Sequence, residues 1–401
     1  MGPSRGLESA SRMSTRKRGD KWLVTVELGR DRAGRRLRHC STHGTEDAAK
    51  KAEAIAKAKV ATETWISETS LTVDAYLVRW LAHRKHDLAW ATYATYKGRI
   101  EGKIRERLGG MKLRKLRPLH IVDFEAYLYE CGLSATTVRK YRMVLHGALR
   151  NAVEWGLIAK NPAHGLDPIA EDTGEVRWLA ASEQAALLDL ARSGFKGRRS
   201  RLYPLILLGL ATGARMGELL ALRWADVDFA ASKVAVRRGQ QKGEHGPTYR
   251  RGGKQGRGRV VALPDVLVGL LAEHRREQAR ARATVGAAWT DVDLVFCGAA
   301  GEPWKKDGVE SSFRYLRRRA GLSADIHFHC LRHTFATELL AAGVHPKIVS
   351  EALGHSSVRL TLDRYSHAIP HLQTEAAAVM DTQLRALGVD APRVTASEDA
   401  E

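Results

Sequence analysis

Residues 168–177 read PIAEDTGEVR, a polar, acidic stretch without periodicity set between long segments that are strongly patterned. Such a break keeps the two sides from sharing one periodic core, so the chain must fold as at least two units. Its length of 401 residues agrees, because single domains usually hold about 100–200. With 44% hydrophobic residues there is apolar side chain for several cores, which excludes wholesale disorder. No run approaches the ~20 apolar residues of a membrane span, and MGPSRGLESASRMSTRKRGD lacks the apolar stretch of a secretory signal. Cys40, Cys131, Cys297 and Cys330 lie far apart and never in CxxC spacing, which points to reduced thiols in a cytosol.

Ahead of the break, two patterns follow one another. Residues 1–19 are small, polar and basic, and are expected to form a disordered arm. Residues 21–28 (KWLVTVEL) alternate as a strand should, a Gly-rich turn follows, and 35–41 read as a returning strand. Thr45 then caps an Ala/Lys/Glu-rich helix that runs to about residue 65. From 70 to 167 the pattern is almost wholly helical: a first helix after Thr72, a second over 92–108 ending at Gly109-Gly110, a third opening at Pro118, and a fourth capped by Ser134. The third unit, 178–388, mixes helices with a small antiparallel sheet, and 389–401 form an acidic tail. The fold class is therefore α+β and multidomain: a sheet-plus-helix domain (20–66), a helical domain (70–167) and a mostly helical large domain (178–388).

Lys and Arg outnumber Asp and Glu by 65 to 45, a net charge of +20. The excess is uneven. Residues 1–65 carry net +7, residues 70–165 net +9, and the much longer 166–401 only +5. Two small basic modules ahead of a nearly balanced large one look like grips on a polyanion, most economically nucleic acid, ahead of an enzyme.

The chemistry-bearing residues gather in the large unit. YPLILLGLATGARMGELLAL (203–222) reads as two helices broken at Thr212-Gly213, with Arg215 opening the second and Glu218 one turn on. Residues 234–236 and 259–264 look like paired strands, and 237–259 between and beside them hold eight basic residues against one acid, Glu244. In HFHCLRHTFAT (327–337), His329 and Arg332 share a face if helical. The histidines there lack HExxH spacing and a completing carboxylate or thiol set, so no metal is expected. LGHSS (353–357) follows, and Tyr365 stands ten residues past His355.

Arg215 in ATGARMGELLALRWADVD, HxxR at 329–332 within LRHTFAT, LGHSS and the following Tyr365 form one ordered pattern. It resembles the tyrosine recombinase (phage integrase) family from about residue 178 to 367. The helical unit before it resembles the family's core-DNA-binding (SAM-like) domain, and 20–66 the arm-site-binding domain of integrases of mobile elements. The resemblance implies a site-specific recombinase that cuts and rejoins DNA through a 3′-phosphotyrosyl intermediate, without metal, ATP or other cofactor. It implies Arg215 and Arg332 as the clamp on the scissile phosphate, Tyr365 as nucleophile, His329 as general acid/base and His355 as phosphate support. The family's hairpin lysine, donor of a proton to the leaving 5′-hydroxyl, matches Lys254 best in GKQGRGRVVALP, with Lys242 as rival. The residue after His329, commonly Asp in the family, is Cys330 here.

The chemistry is coherent on its own terms. Two fixed guanidiniums suit a phosphodiester whose charge concentrates in a pentavalent transition state. A phenol ionising near pH 10 needs a base and nearby cations to attack at neutral pH. The implied partners are double-stranded DNA at attachment sites, three further copies in a tetrameric synapse, and a directionality factor or host DNA-bending protein as further candidates. The implied location is the bacterial cytoplasm, at the nucleoid. Three rivals stand beside this reading: a Xer-type chromosome-resolving recombinase, a catalytically inactive DNA-binding regulator and a topoisomerase. The extra basic unit at 20–66 favours an integrase. Residues 370–387 read as an amphipathic helix that would dock on a neighbouring copy.

Overall fold

The computed structural model describes residues 13–30, 36–61, 71–170, 176–194, 200–251, 258–365 and 372–388. The chain divides into two compact units, Met1–Thr173 and Gly174–Glu401, with the boundary inside the unpatterned segment.

The first unit opens with an antiparallel meander of β1 (Met13–Arg18), β2 (Lys21–Arg30) and β3 (Arg36–His43). Part of the segment expected as a disordered arm is thus a strand; residues 1–12 of that segment lie outside the described residues. MSTRKR carries almost no apolar signal, and β1 forms by pairing its backbone with β2, Thr15 facing Val24, across a turn where Gly19 takes φ +63°. On β2 the alternation works as predicted: Val24 and Val26 are buried with Ala49 and Ala56 of α1 (Glu46–Ala61). Thr45 accepts the Ala48 amide at 3.3 Å, the predicted cap, and the Thr15 hydroxyl donates to Glu53 at 2.6 Å, tying β1 to α1.

Five helices follow: α2 (Val73–Arg84), α3 (Trp90–Arg99), α4 (Arg105–Leu108), α5 (Pro118–Glu130) and α6 (Ala135–Glu154). Thr72 and Ser134 cap α2 and α6 through the Ala75 and Thr137 amides. The single helix expected over 92–108 is interrupted by a π-helical turn, Ile100–Ile104, where Gly102 leaves helical geometry (φ −88°, ψ −120°). The irregular turn still buries Ile100 and Ile104 in a core with Leu77, Trp80, Phe124 and Leu149. The Tyr76 hydroxyl reaches the Ala148 carbonyl and the Trp80 indole reaches Asn151 at 2.8 Å, so both large aromatics have a polar partner.

The second unit contains α7 (Ala181–Ser193), α8 (Tyr203–Thr212) and the one-turn α9 (Met216–Leu219). Then come β4 (Val227–Asp228), β5 (Lys233–Val236), β6 (Arg238–Lys242), β7 (Pro247–Arg251) and β8 (Arg259–Ala262). Strands β4-β5-β8 form one antiparallel sheet with Val234 facing Val261, the predicted pairing, and β6-β7 form a separate hairpin. Helices α10 (Asp265–Val285), α11 (Lys306–Arg319), α12 (Cys330–Ala341), α13 (Pro346–Leu353), α14 (Arg359–Tyr365) and α15 (Leu372–Ala386) complete it. Leu205, Leu222, Val295, Phe313 and Phe328 centre one core; Phe335, Val349, Leu353 and Tyr365 centre a second. The predicted tail, 389–401, lies outside the described residues.

Candidate active site

The break after α8 is a tight one. Gly213 takes φ +58°, and a Cβ there would stand 2.5 Å from Phe335 Cδ1 and 2.7 Å from Leu353 Cδ2, so neither conformation nor space admits a side chain. The turn delivers Arg215 in extended conformation at the cap of α9. Its amide donates to Glu218 Oε2 at 2.8 Å, and its Nη1 lies 3.1 Å from Glu218 Oε1. Glu218 is also gripped by Arg259 at the start of β8, through Nη1 at 3.1 Å and Nη2 at 2.8 Å. Burial alone would raise the Glu218 carboxyl, but the hydrogen bonds and charge of Arg259, then those of Arg215, hold it below its ordinary value.

Arg332, one turn into α12, is 3% exposed. Its Nη1 donates to the Gly213 carbonyl at 2.7 Å and its Nη2 to the Leu353 carbonyl at 2.8 Å. One guanidinium therefore fastens the turn before Arg215 to the end of α13, two residues before His355. Burial, then repulsion from Arg215 and Arg259, lowers its pKa to about 9, which leaves it charged at neutral pH. His329 caps the same helix, and burial followed by Arg332, His327 and Arg215 pushes it down to about 4. His355 follows left-handed Gly354, holds Thr361 Oγ1 at 2.8 Å through Nδ1, and is pushed down to about 4 by burial and then Arg332.

Tyr365 ends α14 and is 1% exposed. Its hydroxyl lies 2.7 Å from His333 Nδ1, and no hydrogen bond joins it to His329. Burial raises the phenol above its ordinary value, while Arg332, Arg364 and Arg215 act to lower it. Five of the predicted site residues, Arg215, His329, Arg332, His355 and Tyr365, thus come together electrostatically around one spot. Lys254 lies outside the described residues. Its rival Lys242 ends β6 with its side chain 70% exposed, 3.7 Å from Asp307.

Two residues went unassigned in the sequence reading. Arg259 counted only as one of the hairpin's cations; its place directly before the VVALP strand was the available signal. His333 belongs to the histidine cluster of 327–333, and the available signal is its place four residues after His329, on the same helical face. Among the described residues no group of three or more metal-ligating side chains exists. Cys330, the departure from the family pattern, is buried with its Sγ 3.2 Å from His327 Nδ1.

Arg215, Arg259, Arg332 and Arg364 all act on His355, with Glu218 as the counter-charge tied to Arg215 and Arg259, an excess of cations that suits an anion. Residues 177–371 match the phage integrase family, and 72–129 match the phage integrase N-terminal SAM-like domain. A XerC-like tyrosine recombinase of Caldanaerobacter subterraneus is 29% identical over 376 residues, 90% of this chain and 95% of the relative. A tyrosine recombinase XerC of Xylella fastidiosa is 30% identical over 244 residues, 61% of this chain and 74% of the relative. Among solved structures, the Tn1549 transposon integrase in complex with a circular intermediate DNA shares the fold, at 21% identity and a TM-score of 0.65, covering 78% of this chain and 100% of that one.

Proposed function

The chain belongs to the phage integrase family and is a tyrosine-type site-specific recombinase, and on that premise we propose the part each residue plays and the DNA it serves. The observation that carries the assignment is Arg332, buried and holding the Arg215 turn and the His355 loop together by two carbonyl bonds. A guanidinium has five N–H donors, so after these two bonds others remain for non-bridging phosphate oxygens. Arg215, whose side chain is 47% exposed, supplies the second arm of the clamp. The Thr361 hydroxyl occupies His355 Nδ1 at 2.8 Å, and we assign the ring's other nitrogen, Nε2, to the phosphate. His329, kept neutral by burial and by Arg332, stands on the same side as a hydrogen-bonding ring. Tyr365 attacks phosphorus, leaving a 3′-phosphotyrosine and a free 5′-hydroxyl, and Lys254 protonates the leaving oxygen. The bond energy stored in the adduct then drives religation to a partner strand.

The substrate is double-stranded DNA at attachment sites of a mobile element. The helical domain grips the core site, and the sheet-plus-helix domain, basic in sequence, grips a second, arm-type site. That extra module supports an integrase over a Xer-type resolvase, whose chemistry would be the same. Helix α15 exposes Val379, Met380 and Leu384, Leu387 follows its last residue, and we assign this face to a neighbouring copy in a four-protomer synapse. A directionality factor or DNA-bending protein would act on the same assembly, in the bacterial cytoplasm.

The test is incubation with DNA bearing the junctions of the element that carries the gene, followed by denaturing electrophoresis. Wild type should form a covalent protein–DNA species, Tyr365→Phe none, and a chain ending at residue 369 should bind DNA but recombine poorly. Adduct formation by Tyr365→Phe would sink the nucleophile assignment, and full recombination by the shortened chain would sink that of α15.

A further inference from the structure

Tyr365 shares its hydroxyl with a residue that the recombinase reading leaves without work. His333 is buried in the second turn of α12, its Nδ1 2.7 Å from the Tyr365 oxygen and its ring 5.8 Å from the phenol ring. His329, one turn earlier, meets His333 edge-on, with ring centroids 4.7 Å apart and planes at 86°, and packs beside it without taking its place at the phenol. A fold does not need a histidine here for packing, since an apolar side chain would fill a buried helix face without desolvating a polar ring.

We propose that His333 is a catalytic residue of the strand-cleavage step, the general base that takes the Tyr365 proton. The inference rests on the recombinase reading and deepens it. As the phenol oxygen bonds to phosphorus, its O–H bond breaks and the proton passes to Nδ1; the bond from phosphorus to the 5′-oxygen breaks, and that oxygen takes its proton from the general acid. On religation the 5′-hydroxyl attacks and returns its proton to the general acid, and Tyr365 departs with the proton held by His333, so the enzyme returns unchanged.

Without DNA the ring is kept neutral. Burial, then His329, Arg364, His327 and Arg332, push it down to about 3, so one ring nitrogen keeps a lone pair, and we place that lone pair on Nδ1, facing the phenol. A phosphate held by Arg215 and Arg332 brings negative charge to the same spot. It offsets the neighbouring cations and favours the imidazolium at the moment the transition state needs it. The base is thereby active only when its substrate is in place.

The experiment measures single-turnover adduct formation by the full chain on two DNAs, one normal and one with sulfur in place of the 5′-bridging oxygen. A thiolate leaves without a proton, so the sulfur DNA restores an enzyme that has lost its acid but not one that has lost its base. His333→Asn keeps an oxygen near the Nδ1 position that can hold the phenol but is not basic. It should slow cleavage of both DNAs by about 10²–10⁴-fold, the range for a lost acid–base group, with DNA affinity within about twofold of wild type. Lys254→Ala should be slow on normal DNA and restored by sulfur. Wild-type rates for His333→Asn would overturn the inference, as would rescue by sulfur. Faster cleavage would mean that His333 merely holds Tyr365 at rest, and would overturn it too. If His333→Asn fails to melt like wild type, His333→Gln is put through the same pair of DNAs. Wild type forming no adduct would remove the recombinase premise itself, a result distinct from any of these.

Discussion

In α6 the inward residues are Val138, Val144, Leu145, Ala148, Leu149 and Ala152; in α12 they include Arg332, His333, Thr334 and Thr337. The first helix has a clear apolar stripe and a polar outer face, so burial stabilises it directly, by roughly 25 cal/mol per Å² of apolar surface. The second is buried on nearly all sides, nine of its twelve residues, and much of what it buries is polar. Each such group costs stability unless bonded. Arg332 has its two carbonyls, and the Thr334 hydroxyl donates to the Cys330 carbonyl and accepts from the Leu179 amide, both at 2.9 Å. The Thr337 hydroxyl has no partner among the described residues. One helix is organised for stability, the other for a charged substrate, and a recombinase needs both in one chain.

Substitutions should separate the two. Arg332→Ala removes a phosphate donor and strands two carbonyls. It should lower single-turnover adduct formation by ~10²–10³ or more and cost about 1–3 kcal/mol of stability, read by denaturing gels and thermal melting. Cleavage within threefold of wild type would end the reading of α12 as the catalytic helix. Leu149→Ala, at a fully buried site in α6, should cost about 2–5 kcal/mol in urea unfolding while leaving the cleavage rate per folded molecule unchanged. A loss of chemistry as deep as that of Arg332→Ala would erase the contrast.

A smaller effect should appear with pH. His329 and His355 fall from 6.5 to about 4 on folding, and His333 to about 3, in each case through burial first and neighbouring cations second. Their folded values lie below their unfolded ones, so their contribution is fully present above pH 6.5 and is lost as pH falls toward 4 and 3. The melting temperature of the second unit should therefore decline over that window, and bound DNA should soften the decline. A flat profile from pH 7 to 4 would mean that the histidines are not buried as neutral rings.

Much of this was legible from local signals. The caps Thr45, Thr72 and Ser134, the alternation of β2, the helix break at Thr212-Gly213 and the pairing of 234–236 with 259–262 all follow from chemistry within a few residues of each other. Strand β1 was not, because MSTRKR has no apolar face and exists only through its backbone ladder with β2. The π turn at Ile100–Ile104 was not, because apolar spacing reads through it unbroken.

The site divides the same way. Its residue types and their order along the chain are sequence properties, and they were enough to identify the chemistry. The pairings that make the site work are not. Arg332 meets a carbonyl 119 residues away and another 21 away, and His333 meets Tyr365 across 32. Propensity and capping act over one or two helical turns, whereas these contacts depend on how α8, α12, α13 and α14 pack. That packing decides which of two histidines on one helical face receives the nucleophile.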